Sequence, residues 1–463
     1  MTNKNNNSKT KLKRELTNRH IKFISLGGTI GTGLFLGANS AIMMAGPSII
    51  LAYILVGIIV FFFMRQLGEM STNEPKSGSS SYFASKYWGN FPGFLAGWNY
   101  WLEYILSGMV QLTAVAAYVQ YWAPNLESWK IILFFFILIN LINIITVKAF
   151  GEIEFWLSSI KILTILIVIL IGLYIIIFKQ NLIAGASIKN LWMPAVGVVN
   201  HNLVNCLFPN NILGFIISLP IIIFSFDGIE SIGITAAETK QPEKTIPKAV
   251  NQTMLWTLVL YIGSFIILLS LCHWSNLNMM KSPFVFIFDR IGIKYAAWIL
   301  NFVILTAALS VYNSCIYSNS RMLYSLALHN NAPKIFAKIN KNGIPILATL
   351  TSATLTFLII PLNYLIPNWQ YVLKITIDFS VIGTIINWGI ISITHLKFRR
   401  NLSNKNILFK SPFYPYSNYI TIGFLVLLIV IMLTIKQLNM FRLIIMAPIW
   451  IVIVYIWYKI QKK

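Results

Sequence analysis

Apolar runs of about 20 residues recur from end to end of the chain, separated by short polar or charged segments. Each is long enough to cross the roughly 30 Å hydrocarbon core of a bilayer as a helix. The pattern predicts an all-α membrane protein with twelve transmembrane helices, at about 21–44, 48–67, 93–122, 130–148, 156–178, 212–236, 253–273, 296–326, 346–366, 372–394, 416–435 and 440–458. These make one transmembrane domain over 21–458, between an N-terminal tail (1–20) and a C-terminal tail (459–463). The first tail carries Lys4, Lys9, Lys11, Lys13, Arg14 and Arg19 and reads as disordered. No period of about 20 to 50 residues appears, which excludes a solenoid.

The first span contains Gly27, Gly28, Gly31, Gly33 and Gly37. So many glycines weaken one point of a helix, and an unwound turn in lipid leaves main-chain groups unpaired unless it lines a cavity or holds a ligand. Gly27-x-x-x-Gly31 and Gly33-x-x-x-Gly37 also fit small-residue helix packing, and the two readings stand side by side. A nucleotide loop is disfavoured by the GxxGxG spacing and the absence of a preceding strand. A signal peptide is excluded because the run is too long and no small-residue cleavage site follows.

Span six has a second irregular stretch, Phe224-Ser-Phe226-Asp227-Gly228-Ile-Glu230, with Pro220 before it and Gly233 after. Intramembrane carboxylates are costly and face water, a partner or a substrate; a structural pair near an interface is the alternative. Spans one and six are five apart and run in opposite directions. That spacing predicts a five-plus-five inverted repeat, about 21–178 and 212–394, with broken helices meeting at the midplane and two extra C-terminal helices over 416–458. Helix ends exposed there offer N–H groups to an anion and carbonyls to a cation, a pairing that suits a zwitterionic amino acid.

Composition agrees: 57% of residues are hydrophobic and 11% charged. The net charge of +23 is concentrated in loops after even-numbered spans, such as Lys240, Lys244 and Lys248, then Arg321, Lys334, Lys338 and Lys341. By the positive-inside rule both termini are cytoplasmic, so the charge is a topology signal and not a sign of nucleic acid. Three cysteines without paired spacing and five scattered histidines give no disulfide framework and no metal site. Gly78-Ser-Ser-Ser81, followed by Tyr82, Phe83, Tyr87 and Trp88, predicts an amphipathic helix on the cytoplasmic face. The segment 180–211 is the longest external loop.

Residues 11–463 resemble the bacterial amino acid permeases of the amino acid–polyamine–organocation superfamily, which share the leucine-transporter-like fold. The resemblance rests on Asn18-Arg-His-Ile, Gly27 to Gly37, Met64-Arg-Gln-Leu-Gly-Glu69-Met, Gly97-Trp-Asn-Tyr-Trp101 and Gly151-Glu-Ile-Glu-Phe-Trp156. Ile234-Thr-Ala-Ala-Glu238, Pro242-Glu-Lys-Thr-Ile-Pro247-Lys-Ala and Ala307-Leu-Ser-Val-Tyr-Asn-Ser314 extend it. It is nearest to the aromatic amino acid and phenylalanine permeases, proton symporters of the bacterial inner membrane. It implies that Ile30, Gly31, Thr32 and Gly33 bind the substrate carboxylate and that Ser225, Phe226, Asp227 and Gly228 form the amino-group end. Phe226 would close over the side chain and Lys161 would handle the coupling proton. Two departures stand out. The permeases have Phe-Gly-Gly-Leu-Glu where this chain has Phe226-Asp227-Gly228-Ile229-Glu230, and a span-three glutamate where it has Gln111, with Glu103 about two turns earlier.

Individual residues allow more than one role. Tyr100 and Tyr104 offer hydroxyls to a substrate or mark an interface. Glu69 is read with Arg65 as a structural or gating pair, and Ser310, Asn313 and Ser314 as facing Lys161 or bonding neighbouring helices. Lys161 either snorkels to the interface or gains and loses a proton in a dry site, with Glu230 and Glu103 as further coupling candidates. The function expected is proton-coupled import of phenylalanine, tyrosine, tryptophan or other large neutral amino acids, without a cofactor. Uptake of lysine or a small neutral amino acid is the same-class alternative. A sensor is disfavoured by tails of about 20 and 5 residues, and an enzyme by the lack of a nucleophile–base pair.

Overall fold

The computed structural model describes residues 16–144, 147–178, 186–193, 203–277, 282–290, 294–366, 368–401, 407–435 and 441–462. Residues 1–15 of the expected tail and much of the 180–211 segment lie outside them. The described residues are helical and contain no strand beyond a single parallel bridge between Leu16 and Thr239. Among them, nine helical stretches are long and apolar enough to cross a membrane, and Ser128–Asn143 and Ile445–Gln461 are shorter apolar helices.

The chain opens with α1 (Asn18–Thr29), a π-helical turn (Gly33–Gly37), α2 (Ala38–Ala45) and α3 (Ile49–Asn73). A short α4 (Ser79–Tyr87) leads to α5 (Asn90–Gln120), α6 (Ser128–Asn143) and α7 (Val147–Phe178). After α8 (Leu203–Leu207) come α9 (Asn211–Phe224), α10 (Ser231–Thr235) and α11 (Pro242–Leu271). Then follow α12 (Pro283–Arg290), α13 (Lys294–Leu328), α14 (Ile346–Thr356), α15 (Ile359–Leu365), α16 (Trp369–Asn401), α17 (Tyr416–Thr434) and α18 (Phe441–Gln461). Pro361 explains why α14 and α15 are separate: it has no N–H for the carbonyl of Phe357, which accepts from Ile360 instead at 2.9 Å.

Helical periodicity sorts each span into an inner and an outer face. On α7, Glu154, Ser158, Lys161, Ile165 and Val168 recur at three- and four-residue steps and are buried. Leu163, Leu170 and Phe178 on the same helix are 59%, 63% and 70% exposed. Apolar side chains turned outward over several turns are a lipid-facing surface. The inner faces of α13 and α16 pack along α5, α11 packs along α3, and α1 lies against α7 and α11.

Three details differ from the sequence expectation. Helix α1 begins inside the expected tail, at Asn18, because the fully buried Leu16 anchors the chain just before it: its N–H donates to Glu238 and its carbonyl accepts from Lys240. Helix α18 runs to Gln461, into the expected C-terminal tail. Helix α4 buries Ser79, Ser80, Phe83 and Ala84 against neighbours that include α5 and α16, with Lys86 outward.

Candidate functional site

The two glycine-rich stretches are where the helices break, and they touch. Helix α1 stops at Thr29 and Ile30 is extended, with φ −78° and ψ 93°. Helix α9 ends in a series of i→i+3 turns: Ser225, Phe226 and Asp227 donate to Ile222, Ile223 and Phe224. Gly228 then takes φ +88°, a left-handed value that favours glycine. A Cβ on Gly33 would come within 2.7 Å of Ser225 Cα, and one on Gly228 within 2.7 Å of the Gly28 carbonyl oxygen. The glycines therefore have a packing role and also mark an irregular backbone.

Side chains from other helices take up backbone groups released by the breaks. The Tyr261 hydroxyl lies 3.0 Å from the Thr29 carbonyl and 2.7 Å from that of Ser225, bridging the two breaks. Tyr53 bonds the Ser225 hydroxyl at 2.8 Å. Phe226 is fully buried against the rings of Tyr53 and Tyr261. On the other side, Gln111 Oε1 accepts from the Thr32 amide at 3.3 Å and from the Thr32 hydroxyl. An acceptor at this amide, one of the groups expected to hold a carboxylate, is the consequence of Gln111.

Lys161 is fully buried, and its Nζ donates to the Gly27 carbonyl at 2.6 Å. Snorkelling is thereby excluded. Glu154, two turns earlier on the same face of α7, is the residue that sequence reasoning missed. Ser310, Ser158 and Asn313 donate to its carboxylate, and it contributes to the electrostatic field at Lys161. Ser310 and Asn313 thus face Glu154. Asn143 in turn donates to Asn313 Oδ1 at 2.6 Å. The i, i+7 spacing of Glu154 and Lys161 was the available signal.

The opposite side of the span-six break carries three carboxylates. Glu103 on α5 faces Asp227 and Glu230, and one oxygen from each lies within 4.8 Å of the other two. All three are buried. Their recorded side-chain donors are neutral: Ser107 to Asp227 at 2.8 Å, Tyr104 to Glu230 at 2.9 Å, and Thr384 at 2.8 Å and Asn387 to Glu103. Tyr100 stacks on Tyr104 with centroids 4.2 Å apart. This cluster brings Tyr100, Tyr104, Glu103, Asp227 and Glu230 together, and its oxygens form a set able to hold a cation.

Two further features frame the centre. A cavity of about 530 Å³ reaches Leu36 and Tyr118 from the ends of α5 and α16, and the Tyr118 hydroxyl neighbours Thr32. At the opposite ends of the helices the chain is closed by buried ion pairs. Arg321 meets Glu238 at 3.0 Å. Glu69 pairs with Arg399 and with His395, 3.2 Å away, and not with the expected Arg65. Arg65 instead donates to Asn251 at 3.0 Å and to the Lys410 carbonyl.

Comparison with known proteins agrees with this architecture. The family described as "Amino acid permease" matches residues 20–463. The chain is 44% identical to the aromatic amino acid transport protein AroP of Escherichia coli (strain K12), over 98% of this chain and 96% of that protein. It is 40% identical to the amino-acid permease AapA of Bacillus subtilis (strain 168), again over 98% and 96% of the two chains.

Proposed function

The chain belongs to the amino acid permease family, and we propose that it imports an amino acid by proton symport, alternating access around the two broken helices. As a member of that family it is a multi-pass membrane transporter and not an enzyme. The transport unit proposed has twelve spans as five plus five inverted helices and two more. It lies in the bacterial inner membrane with both termini in the cytoplasm. The substrate carboxylate binds at Ile30–Gly33 and the amino group at Ser225–Gly228. The relatives' names concern aromatic amino acid transport, and that likeness supports an aromatic or other large neutral side chain.

The observation that carries this reading is the direct contact of the two breaks. Gly33 packs on Ser225, Gly228 on Gly28, and Tyr261 bridges both. Irregular backbone buried at this depth is tolerated where it lines a cavity or holds an ion or ligand. The cavity ending at Leu36 and Tyr118 is the external approach, and the Arg321–Glu238 side is closed toward the cytoplasm. Lys161 carries the coupling proton because it binds the end of α1 and gains a full charge when protonated. One proton entering down 100 mV supplies about 2.3 kcal/mol, which supports about 50-fold accumulation of a neutral substrate.

Uptake of labelled phenylalanine into proteoliposomes, with each of the twenty amino acids as competitor, tests the reading. A pH gradient, acid outside, should drive accumulation that a protonophore abolishes. Uptake that only exchanges and never concentrates would remove proton symport from the proposal.

A further inference from the structure

We infer that the Glu103–Asp227–Glu230 cluster is a binding site for an organic cation, so that the substrate range extends to amino acids with a basic side chain. This rests on the reading that an amino acid binds between the two breaks. Three observations carry it.

The first is charge balance. Elsewhere in the interior, buried carboxylates have cations: Glu69 has Arg399, Glu238 has Arg321, and Glu154 has Lys161 in its field. Among the described residues, no lysine, arginine or histidine is recorded in hydrogen-bond or ion-pair contact with Glu103, Asp227 or Glu230. Three facing carboxylates with only neutral donors attract a positive charge.

The second is unused hydrogen-bonding capacity. Asp227 Oδ1 and Glu230 Oε2 are buried and make no well-formed hydrogen bond. Tyr100 lies one turn before Tyr104 on α5, stacks on it and sits in the electrostatic field of Glu230. Buried groups of this kind are satisfied by a ligand or by water.

The third is geometry. A primary ammonium can donate to as many as three acceptors, each at about 2.8 Å. The three carboxylate oxygens lie within 4.8 Å of one another. Asp227 and Glu230 flank Gly228 in the proposed amino-group end, so a side chain leaving a substrate held there reaches the cluster. The Tyr100 and Tyr104 rings add faces that favour a cation.

The test uses the intact purified protein in detergent and in proteoliposomes. Lysine should compete for phenylalanine uptake and raise the melting temperature. Norleucine, which keeps the length of lysine without its ammonium, should bind at least tenfold more weakly. Glu103→Gln should lower the lysine-to-phenylalanine uptake ratio at least tenfold. That ratio is internal to each preparation, and the wild-type lysine–norleucine comparison needs no variant. Phenylalanine uptake that a 100-fold excess of lysine, arginine or histidine leaves untouched would overturn the inference while leaving the permease reading standing. Stabilisation by sodium chloride over choline chloride, without stabilisation by lysine, would reassign the cluster to a metal ion and also overturn it. If no amino acid of any class is bound or moved, the permease reading fails and this inference with it.

Discussion

The Lys161 ammonium binds the Gly27 carbonyl at 2.6 Å, and that carbonyl belongs to the last turn of α1. A helix end leaves its final carbonyls without intrahelical donors. Here Lys161 supplies one and Tyr261 another, at Thr29. A charged donor makes the stronger bond, so loss of the proton loosens the hold on the broken end of α1. In the proposed symport, coupling between proton and substrate would need no long-range relay, because the same turn borders the proposed carboxylate site.

Lys161→Met should therefore abolish accumulation driven by a pH gradient while leaving substrate binding measurable by thermal shift. Uptake in proteoliposomes with and without protonophore decides it. If the variant still concentrates substrate in a protonophore-sensitive way, the proton is carried elsewhere and Glu230 becomes the first suspect.

Tyr261→Phe removes the hydroxyl that lies between Thr29 and Ser225. The ring stays packed against Tyr53 and Phe226, so the loss is confined to hydrogen bonding. Leaving buried carbonyls unsatisfied costs about 1–3 kcal/mol. The melting temperature should fall accordingly, and substrate affinity with it; a variant matching the parent in both would show that the bridge holds nothing.

The glycines of the first span should separate into two groups. Alanine at Gly33 would press on Ser225 Cα at 2.7 Å, whereas at Gly37 the nearest atom is 3.8 Å away. Overpacking costs about 1–3 kcal/mol, and at Gly33 it would also force the two breaks apart. Gly33→Ala should lose stability and uptake together and Gly37→Ala neither. Equal behaviour of the two variants would contradict the crossing.

Outside the spans, Glu74 ties α4 to the end of α3. Lys86 reaches its carboxylate at 2.6 Å, and Tyr82 and Tyr87 also donate to it. Partial burial works against its charge, but these hydrogen bonds outweigh burial and hold the carboxyl below its ordinary value. A depressed carboxylate stabilises the fold fully above the unfolded value of about 4.3 and ceases to do so as pH falls through the lower folded one. Hydrogen exchange over Ser79–Tyr87 should rise in that acidic window. Glu74→Gln should raise exchange already at neutral pH and flatten the acid response. A pH response unchanged in the variant would assign it to another group.

Much of this was legible in the sequence because it depends on local chemistry. Glycine clusters mark both breaks, and Asp227 and Glu230 are conspicuous as carboxylates within an apolar span. What could not be read was pairing across distance. Glu69 and Arg65 are one turn apart on α3, yet Glu69 takes Arg399, 330 residues away, because its face of the helix turns toward α16. The partnership of Glu103 with Asp227 likewise depends on how α5 packs against the span-six break. Leu16 was hidden by the basic composition around it, since its anchorage is through main-chain groups that any residue carries.

That anchorage supports a final prediction about the side proposed to face the cytoplasm. Glu238 is fully buried and its charge is met by Arg321 at 3.0 Å, while its main-chain carbonyl accepts from Leu16. Arg321 in turn covers the ring of Tyr317, which stacks on Phe150 of α7 with centroids 4.1 Å apart. Glu238 thus joins α13 through its ion pair and the chain just before α1 through its carbonyl, and in the proposed alternation these elements would part for the site to open on that side. Removing one partner of a buried pair leaves an uncompensated charge and costs about 3–5 kcal/mol. Arg321→Gln should therefore lower the melting temperature and raise hydrogen exchange at residues 16–20 and 236–240 together. Replacing both partners, as Glu238→Gln with Arg321→Met, should restore part of the stability but leave exchange at those two segments high, because the charge that closes them is gone. Exchange at the two segments that stays at the parent level in both variants would show that the closure does not depend on this pair.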